Sequence, residues 1–423
     1  MLLRANPPLT RRHAVTYRKS VIVGGQVLVL WALLWSIVPA HCLAETLATC
    51  GAGWLERVDG QLVLHVKGTP YEMGYQHGAL LKQHCTENLN FMLHEKAKSL
   101  VEIGDLKINP RPIIDSVAQL QREYTPDKFY EEMRGLADAS GLAMDDIVAG
   151  NFIPELFHCS GFAVMNSATT DGVLYHGRVL DYACDWRLQE HAVVIVAEPK
   201  GGIPFVNVTY AGFIGSVTGM NARHVSIGEM GGRGLGHWEG VPMAFLVREV
   251  LETADDVSNA VNVFAKNPRT CVYYYVVADG KTNEAVGLSA SWKELEIVRP
   301  GETHELLPHA VPDAVLLSAG TRYEELVSRT RAAHGRLDEN SARQLMDRPV
   351  AMRSNLHNVL FAPASTRFWV AHASPDGTPA AEQPYHAFQL TDLLAREPES
   401  DARALPGPEL AGARQAAQEP LAR

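Results

Sequence analysis

The sequence has no Cys-x-x-Cys pair and no cluster of histidines and cysteines at metal-ligand spacing, so nothing in it suggests a structural zinc site. No internal repeat is visible, so nothing points to a repeat array. Basic charge is in short supply: 38 Lys and Arg stand against 48 Asp and Glu, a formal charge of −10. Five of those basic residues (Arg4, Arg11, Arg12, Arg18, Lys19) fall within residues 1–44, which hold no acidic residue at all. The remainder sets 33 basic against 48 acidic residues, a balance of −15. Such a surface argues against nucleic acid and against anionic membrane surfaces as partners. Cysteine is also scarce, with six in the chain and five (Cys50, Cys85, Cys159, Cys184, Cys271) beyond residue 44. Five is odd and the spacings form no framework, so at least one thiol must stay outside any disulfide, and Cys159 is the candidate. Cys85, Cys184 and Cys271 read either as small buried hydrophobes or as a source of one disulfide.

What is present is ordinary globular composition: 423 residues, 46% hydrophobic and 20% charged, enough for one large or two ordinary domains. Val21 to Ala40 is an apolar run behind a basic flank, followed by the small-residue sites Val38-Pro39-Ala40 and Cys42-Leu43-Ala44. This has the form of a secretory signal. The run is also nearly long enough to span a bilayer, so an uncleaved anchor is the alternative. Either way the rest of the chain is expected outside the cytoplasm, periplasmic or secreted. The expected division is a signal or anchor over 1–44, a helix-rich segment over 45–158, a catalytic segment over 159–392 and a disordered tail over 393–423.

Residues 61–67 alternate as a strand, and Pro70 then opens helical spacing from Tyr71 to about Lys98. Helices are predicted near 113–123 and over 126–140, the latter closed by Gly141. Beyond Cys159 the texture changes to strands at 161–168, 172–180, 191–198, 203–210, 271–278, 285–291, 314–319 and 367–373. Helices at about 240–253, 256–266, 321–333 and 339–347 can cover outer faces. Many strands with few helices between them predict an α+β fold of two largely antiparallel stacked sheets.

The junction His158–Cys159 opens the strand-rich half. The strand after it is joined to 172–180 by a Thr-Thr-Asp-Gly turn, which carries Gly177-Arg178-Val179-Leu180-Asp181 back beside the thiol. A guanidinium and a carboxylate near a cysteine can lower its pKa and orient an amine, the two needs of a thiol nucleophile. Residues three apart in a regular strand point to opposite faces, so either a bulge intervenes or Asp181 lies at the strand's end. The alternative for Arg178 and Asp181 is a structural ion pair between sheets. A glycine-rich stretch, Thr209 to Gly215 and Gly219-Met220-Asn221 through Gly228-Glu229-Met230-Gly231-Gly232, would let backbone approach a ligand and offer N–H groups to an oxyanion. Asn221 there is a candidate contact or a turn former, and Glu229 a receptor for a substrate amine or a structural carboxylate. In Met352-Arg353-Ser354-Asn355-Leu356-His357, Asn355 is a candidate for contacting the reacting carbonyl or for an Asx turn, and His357 a pocket group, a base or a structural histidine.

These stretches resemble the acyl-CoA:6-aminopenicillanic acid acyltransferase-like family, a self-processing group within the N-terminal-nucleophile hydrolases. Cys159 matches the family's nucleophile, and Gly177-Arg178-x-x-Asp181 matches the strand whose Asp holds the nucleophile's α-amine. Further landmarks are Gly68-Thr69-Pro70-Tyr71-Glu72-Met73-Gly74 through Gly78, Glu132-Met133-x-Gly135-Leu136, Asn151 with Glu155, and Gly219-Met220-Asn221. The resemblance implies a four-layer αββα sandwich, self-cleavage before Cys159 into two associated fragments, and attack on a linear amide of an N-acyl small molecule or peptide. It implies no metal and no organic cofactor. Two positions depart from the family's pattern: Glu229 or Gly231 stands where an asparagine commonly completes the oxyanion hole, and Tyr273, Tyr274 and Tyr275 occupy the strand where another asparagine is expected. Tyr274 would narrow the pocket or stack on an acyl group or ring. Two other readings stay open, an uncleaved hydrolase using Cys159 with His357 or His224, and a binding protein that keeps the fold without turnover.

Overall fold

The computed structural model describes residues 44–98, 101–103, 106–153, 159–234 and 236–408. Among them, eleven strands form one sheet in the order Leu295–Val298, Glu284–Ser291, Val272–Asp279, Val225–Gly234, Thr218–Asn221, Phe205–Tyr210, Ala192–Pro199, Gln61–Gly68, Gly53–Val58, Ala44–Cys50 and Ala404–Leu405. Neighbours are antiparallel except Gln61–Gly68 beside Ala192–Pro199 and Ala44–Cys50 beside Ala404–Leu405, which run parallel. The second sheet has six antiparallel strands in the order Ala314–Leu317, Ser160–Asn166, Gly172–Asp181, Asn355–Ala362, Arg367–His372 and His386–Gln389.

Period-two alternation decides which face each residue serves. In Ser160–Asn166, Phe162 and Val164 pack with Tyr323, Leu326, Leu345 and Met346 of the helical layer beyond the six-stranded sheet. Ala163 and Met165 turn the other way, into the space between the sheets. Gly161 keeps that space narrow, since a Cβ there would lie 2.7 Å from Met230 Sδ of the opposite sheet. Burying a side chain such as Phe162 contributes about 2–3 kcal/mol. Helices Pro70–Leu80, Asp127–Ser140, Met243–Thr253 and Val257–Lys266 cover the outer face of the large sheet, and Thr321–Ala333 with Glu339–Gln344 covers the small one. The layers are therefore helix, sheet, sheet, helix, the four-layer αββα arrangement expected.

The landmark glycines have a packing reason. Pro70–Leu80 starts with a Thr69/Glu72 capping box and crosses Asp127–Ser140 at backbone contact. A Cβ on Gly74 would sit 1.8 Å from Glu132 O, and one on Gly135 would sit 2.1 Å from Tyr71 O. Beside this crossing, Arg248 is fully buried between Glu132 (2.8 Å) and Glu252 (2.9 Å), tying the helix before Cys159 to one after it.

Two expectations change, and one open alternative is decided. The segment 45–158 is not simply helix-rich: it begins with Ala44–Cys50, Gly53–Val58 and Gln61–Gly68, and the last pairs with Ala192–Pro199, so both halves of the chain share one sheet. Residues 393–408 are not the start of a loose tail. Ala404–Leu405 pairs with Thr49 and Cys50, and Arg396 reaches Glu56 at 3.2 Å, contacts between distant segments that leave no local periodicity to read. No disulfide joins any of the described cysteines; Cys85 and Cys271 are buried in the core, which pushes both thiols up. Among the described residues no helix is long and apolar enough to cross a membrane. The apolar run 21–40, His158, Glu155 and residues 409–423 lie outside the described residues.

Candidate active site

Cys159 stands immediately before its strand and is 4% exposed. The antiparallel register sets Ser160 against Val179 and Gly161 against Arg178, so one step back brings Cys159 level with Leu180, with Asp181 just beyond. The thiol borders a cleft of about 240 Å³ between the two sheets. Its floor is a cross-strand row in which Met230 opposes Tyr274 and Tyr274 opposes Ser289. Leu317 and Ser318 of the six-stranded sheet's edge lie above, with His304 and Leu306 at the rim.

Arg178 and Asp181 point to opposite faces of the strand. No bulge reverses this, because the register shift falls in the facing strand between Asn355 and His357, and Asp181 is the last residue of its own strand. Arg178 crosses the space between the sheets past Gly228, where a Cβ would come within 2.9 Å of its Cδ, and lies 3.6 Å from Glu229. Both side chains are without solvent exposure. Arg178 Nη1 also donates to Val179 O. The ion pair between sheets is thus Arg178 with Glu229 and not Arg178 with Asp181.

Asp181 faces the helical layer. Its carboxylate accepts from Met352 N at 2.9 Å and from Arg322 Nη2 on the first turn of Thr321–Ala333. The same Arg322 nitrogen donates to Ser160 Oγ, which is 2.7 Å from Ser318 Oγ at the cleft. Burial pushes the Asp181 carboxyl up to about 6, with Arg322, the Met352 N–H and Arg178 pulling the other way. The link Asp181, Arg322, Ser160 therefore fixes the residue next to Cys159 from behind the strand.

Asn355 is buried opposite Asp181, and its amide donates to Leu180 O (3.0 Å) and His357 O (3.2 Å) while accepting from Ala381 N (2.8 Å). Its position braces the end of the Asp181 strand. His357 lies between the sheets, with Nδ1 3.1 Å from Tyr210 Oη and Nε2 2.9 Å from Thr218 Oγ1. Burial, then the nearby charge of Arg178, holds it well below the usual histidine range, so it is a neutral ring clasped by two hydroxyls. His224 Nδ1 donates to Pro363 O (2.8 Å), away from the cleft. Tyr274 is in the cleft floor with Cys159 above it.

Asn221 does not belong to the site. Its amide donates to Leu251 O (3.1 Å) and Ala254 O (2.8 Å), and its carbonyl accepts from Arg223 N and Val225 N (both 3.0 Å). Four bonds use the whole side chain to build the turn between two strands. The glycine-rich stretch from 209 to 215 is likewise no oxyanion hole. Gly212 N donates to His77 Nε2 (3.0 Å), Ile214 N to Asn151 Oδ1 (2.8 Å), and Asn88 and Asn151 amides bind Ala211 O and Gly212 O. These donors are committed to side chains that precede Cys159 in sequence, which explains the landmark Asn151. Gly231, by contrast, does line the cleft.

Arg322, Ser160 and Ser318 escape sequence reasoning. The only local signal is Ser318-Ala319-Gly320 ahead of a helix, with Gly320 at φ 57° making the turn. Among the described residues no three His, Cys, Asp or Glu side chains converge as metal ligands.

Residues 168–309 match the family described as acyl-coenzyme A:6-aminopenicillanic acid acyl-transferase, a span that includes Arg178, Asp181, Glu229 and Tyr274 but begins after Cys159. Protein dcd1A of Dictyostelium discoideum is 30% identical over 282 residues, covering 59% of this chain and 62% of that protein. The N-acylethanolamine-hydrolyzing acid amidase of Rattus norvegicus is 28% identical over 185 residues, covering 41% of this chain and 50% of that enzyme. The chain thus covers less than two thirds of the length of these curated relatives. A solved Caenorhabditis elegans ortholog of that amidase superposes with a TM-score of 0.40 at 21% identity, covering 49% of this chain and 93% of that one.

Proposed function

We propose that the chain is a member of the acyl-CoA:6-aminopenicillanic acid acyltransferase-like family of N-terminal-nucleophile hydrolases, and an exported, self-cleaving cysteine amidohydrolase or acyltransferase. The observation that carries the reading is the placement of Cys159 at the head of its strand in a cleft, with a buried Asp181 one residue past the position facing it. The relative named for hydrolysing N-acylethanolamines supports amide chemistry of this kind.

In this reading the Cys159 thiol first attacks the carbonyl of residue 158, and the acyl group moves from nitrogen to sulfur. Water hydrolyses the thioester, leaving a carboxylate on one fragment and a free α-amine on Cys159. With substrate in the cleft, the α-amine takes the thiol proton as sulfur attacks the amide carbonyl, then passes it to the leaving amine. The acyl-thioester is resolved by water or by a second amine. Asp181 holds the amine, and Met230, Tyr274 and Ser289 form the surface on which the amide lies. The two fragments stay together through the shared large sheet and the Glu132, Arg248, Glu252 cluster. No metal or organic cofactor enters. His357 and His224 are held in other bonds, which disfavours a Cys/His pair.

The test is to incubate the purified protein with N-acyl amides, quench in acid and map peptides by mass. The acyl mass should sit on the peptide that contains Cys159, and Cys159→Ala should abolish turnover. Turnover that survives this substitution contradicts the proposal.

A further inference from the structure

We propose that Arg322 is a positioning residue that offsets the charge of Asp181 while tethering Ser160, so that the amine freed at Cys159 remains a neutral base. This rests on the amidohydrolase reading above and adds what sets its working pH.

An α-amine is a base only when unprotonated, and its ordinary pKa is about 7.7–8.0. A carboxylate within about 4–6 Å favours the ammonium form and raises that value by roughly 1–3 units. With the amine beside it and no cation of its own, Asp181 would ionise as the partner of an ammonium and so hold the amine charged near neutral pH. Arg322 changes this balance, because its guanidinium pairs directly with the carboxylate and makes the two together neutral. The arginine is itself anchored, since Nε donates to Val350 O at 2.8 Å, and one Nη2 serves both Asp181 and Ser160. Holding Ser160 Oγ fixes the backbone next to Cys159, so charge and position come from one side chain.

Met352 N and the Asn355 amide, which also face Asp181, are neutral donors from the adjoining segment. Arg178, on the same strand, faces the other sheet and is paired with Glu229. Cys184, in the turn that follows, has its thiol pushed up by burial first and then by Asp185, with Asp181 a lesser cause. Arg322 is thus the cation bonded to Asp181 among the described residues.

The experiment compares pH profiles of kcat/KM for the processed full chain with wild-type Arg322, Arg322→Gln and Arg322→Lys, using one turned-over N-acyl amide. N-terminal sequencing of each protein accompanies the profiles. Arg322→Gln should move the acidic limb up by about 1–2 pH units, lose roughly 10- to 100-fold at pH 7 and recover most of that loss at high pH. Arg322→Lys, which keeps the charge, should leave the limb within about half a unit of wild type. A limb unmoved in Arg322→Gln, with or without a uniform loss of rate, overturns the proposal and makes Arg322 structural. If Arg322→Gln fails to cleave, cleavage restored in Arg322→Lys supports the role of charge, and absence of cleavage in both overturns it. A wild-type chain that turns over amide without Cys159 at an N-terminus contradicts the amidohydrolase reading itself, a result separate from any shift of the limb.

Discussion

Arg178 and Glu229 meet at 3.6 Å between the two sheets, both wholly buried, with Gly228 leaving the room for the arginine to pass. Removing one partner of such a pair strands a buried charge and costs about 3–5 kcal/mol. Arg178→Ala should therefore unfold at markedly lower denaturant and lose activity by at least about two orders of magnitude. The double variant Arg178→Met with Glu229→Gln should regain most of the stability and none of the activity. Denaturant titration and rate assays on the singles and the double separate the two contributions. Stability of Arg178→Ala equal to wild type would contradict the pairing.

Asp181 gives a pH dependence whose sign follows from its raised pKa. A carboxyl pushed up to about 6 by burial, against an ordinary 3.8, holds its proton more tightly in the fold than in the unfolded chain. Its contribution is complete below the unfolded pKa and is lost as pH rises through about 6, a change on the order of 3 kcal/mol. Asp181→Asn cannot ionise, so its stability relative to wild type should climb between pH 4 and pH 7. Unfolding free energies of both proteins at several pH values check this, and a constant difference would contradict it. The same substitution should abolish turnover, since the amine loses its holder.

The helix crossing sets a third expectation. Gly135→Ala would place a methyl 2.1 Å from Tyr71 O, backbone that cannot turn aside, so the helices Pro70–Leu80 and Asp127–Ser140 must separate. Overpacking of this kind costs about 1–3 kcal/mol or more. Thermal unfolding should show a drop of several degrees for Gly135→Ala and little change for Gly407→Ala, whose added methyl would meet nothing nearer than 3.5 Å.

Much of this arrangement is legible in the sequence because it is local. The turn from Ser160–Asn166 into Gly172–Asp181 places Cys159 beside Leu180 and Asp181 by strand register alone, and period-two alternation already divides Arg178 from Asp181. Asn221 can be read as a turn former because its bonds close over two and four residues. What is not legible is held by contacts between distant segments. Arg322 meets Asp181 from 141 residues away, and no spacing rule announces it. The glycines of Val225–Gly234 read as room for a ligand beside the backbone, yet at Gly228 and Gly232 that room is taken by Arg178 and Val272. Ala404–Leu405 pairs only because Ala44–Cys50 offers an edge.

The central claim is that the chain cuts itself before Cys159 and works through the amine thus exposed. Denaturing electrophoresis and N-terminal sequencing of the purified protein test it without any substrate. Two bands are expected, one of them reading Cys-Ser-Gly-Phe from its first residue, and a single chain for Cys159→Ala. An active wild-type protein with the bond before Cys159 intact would contradict it.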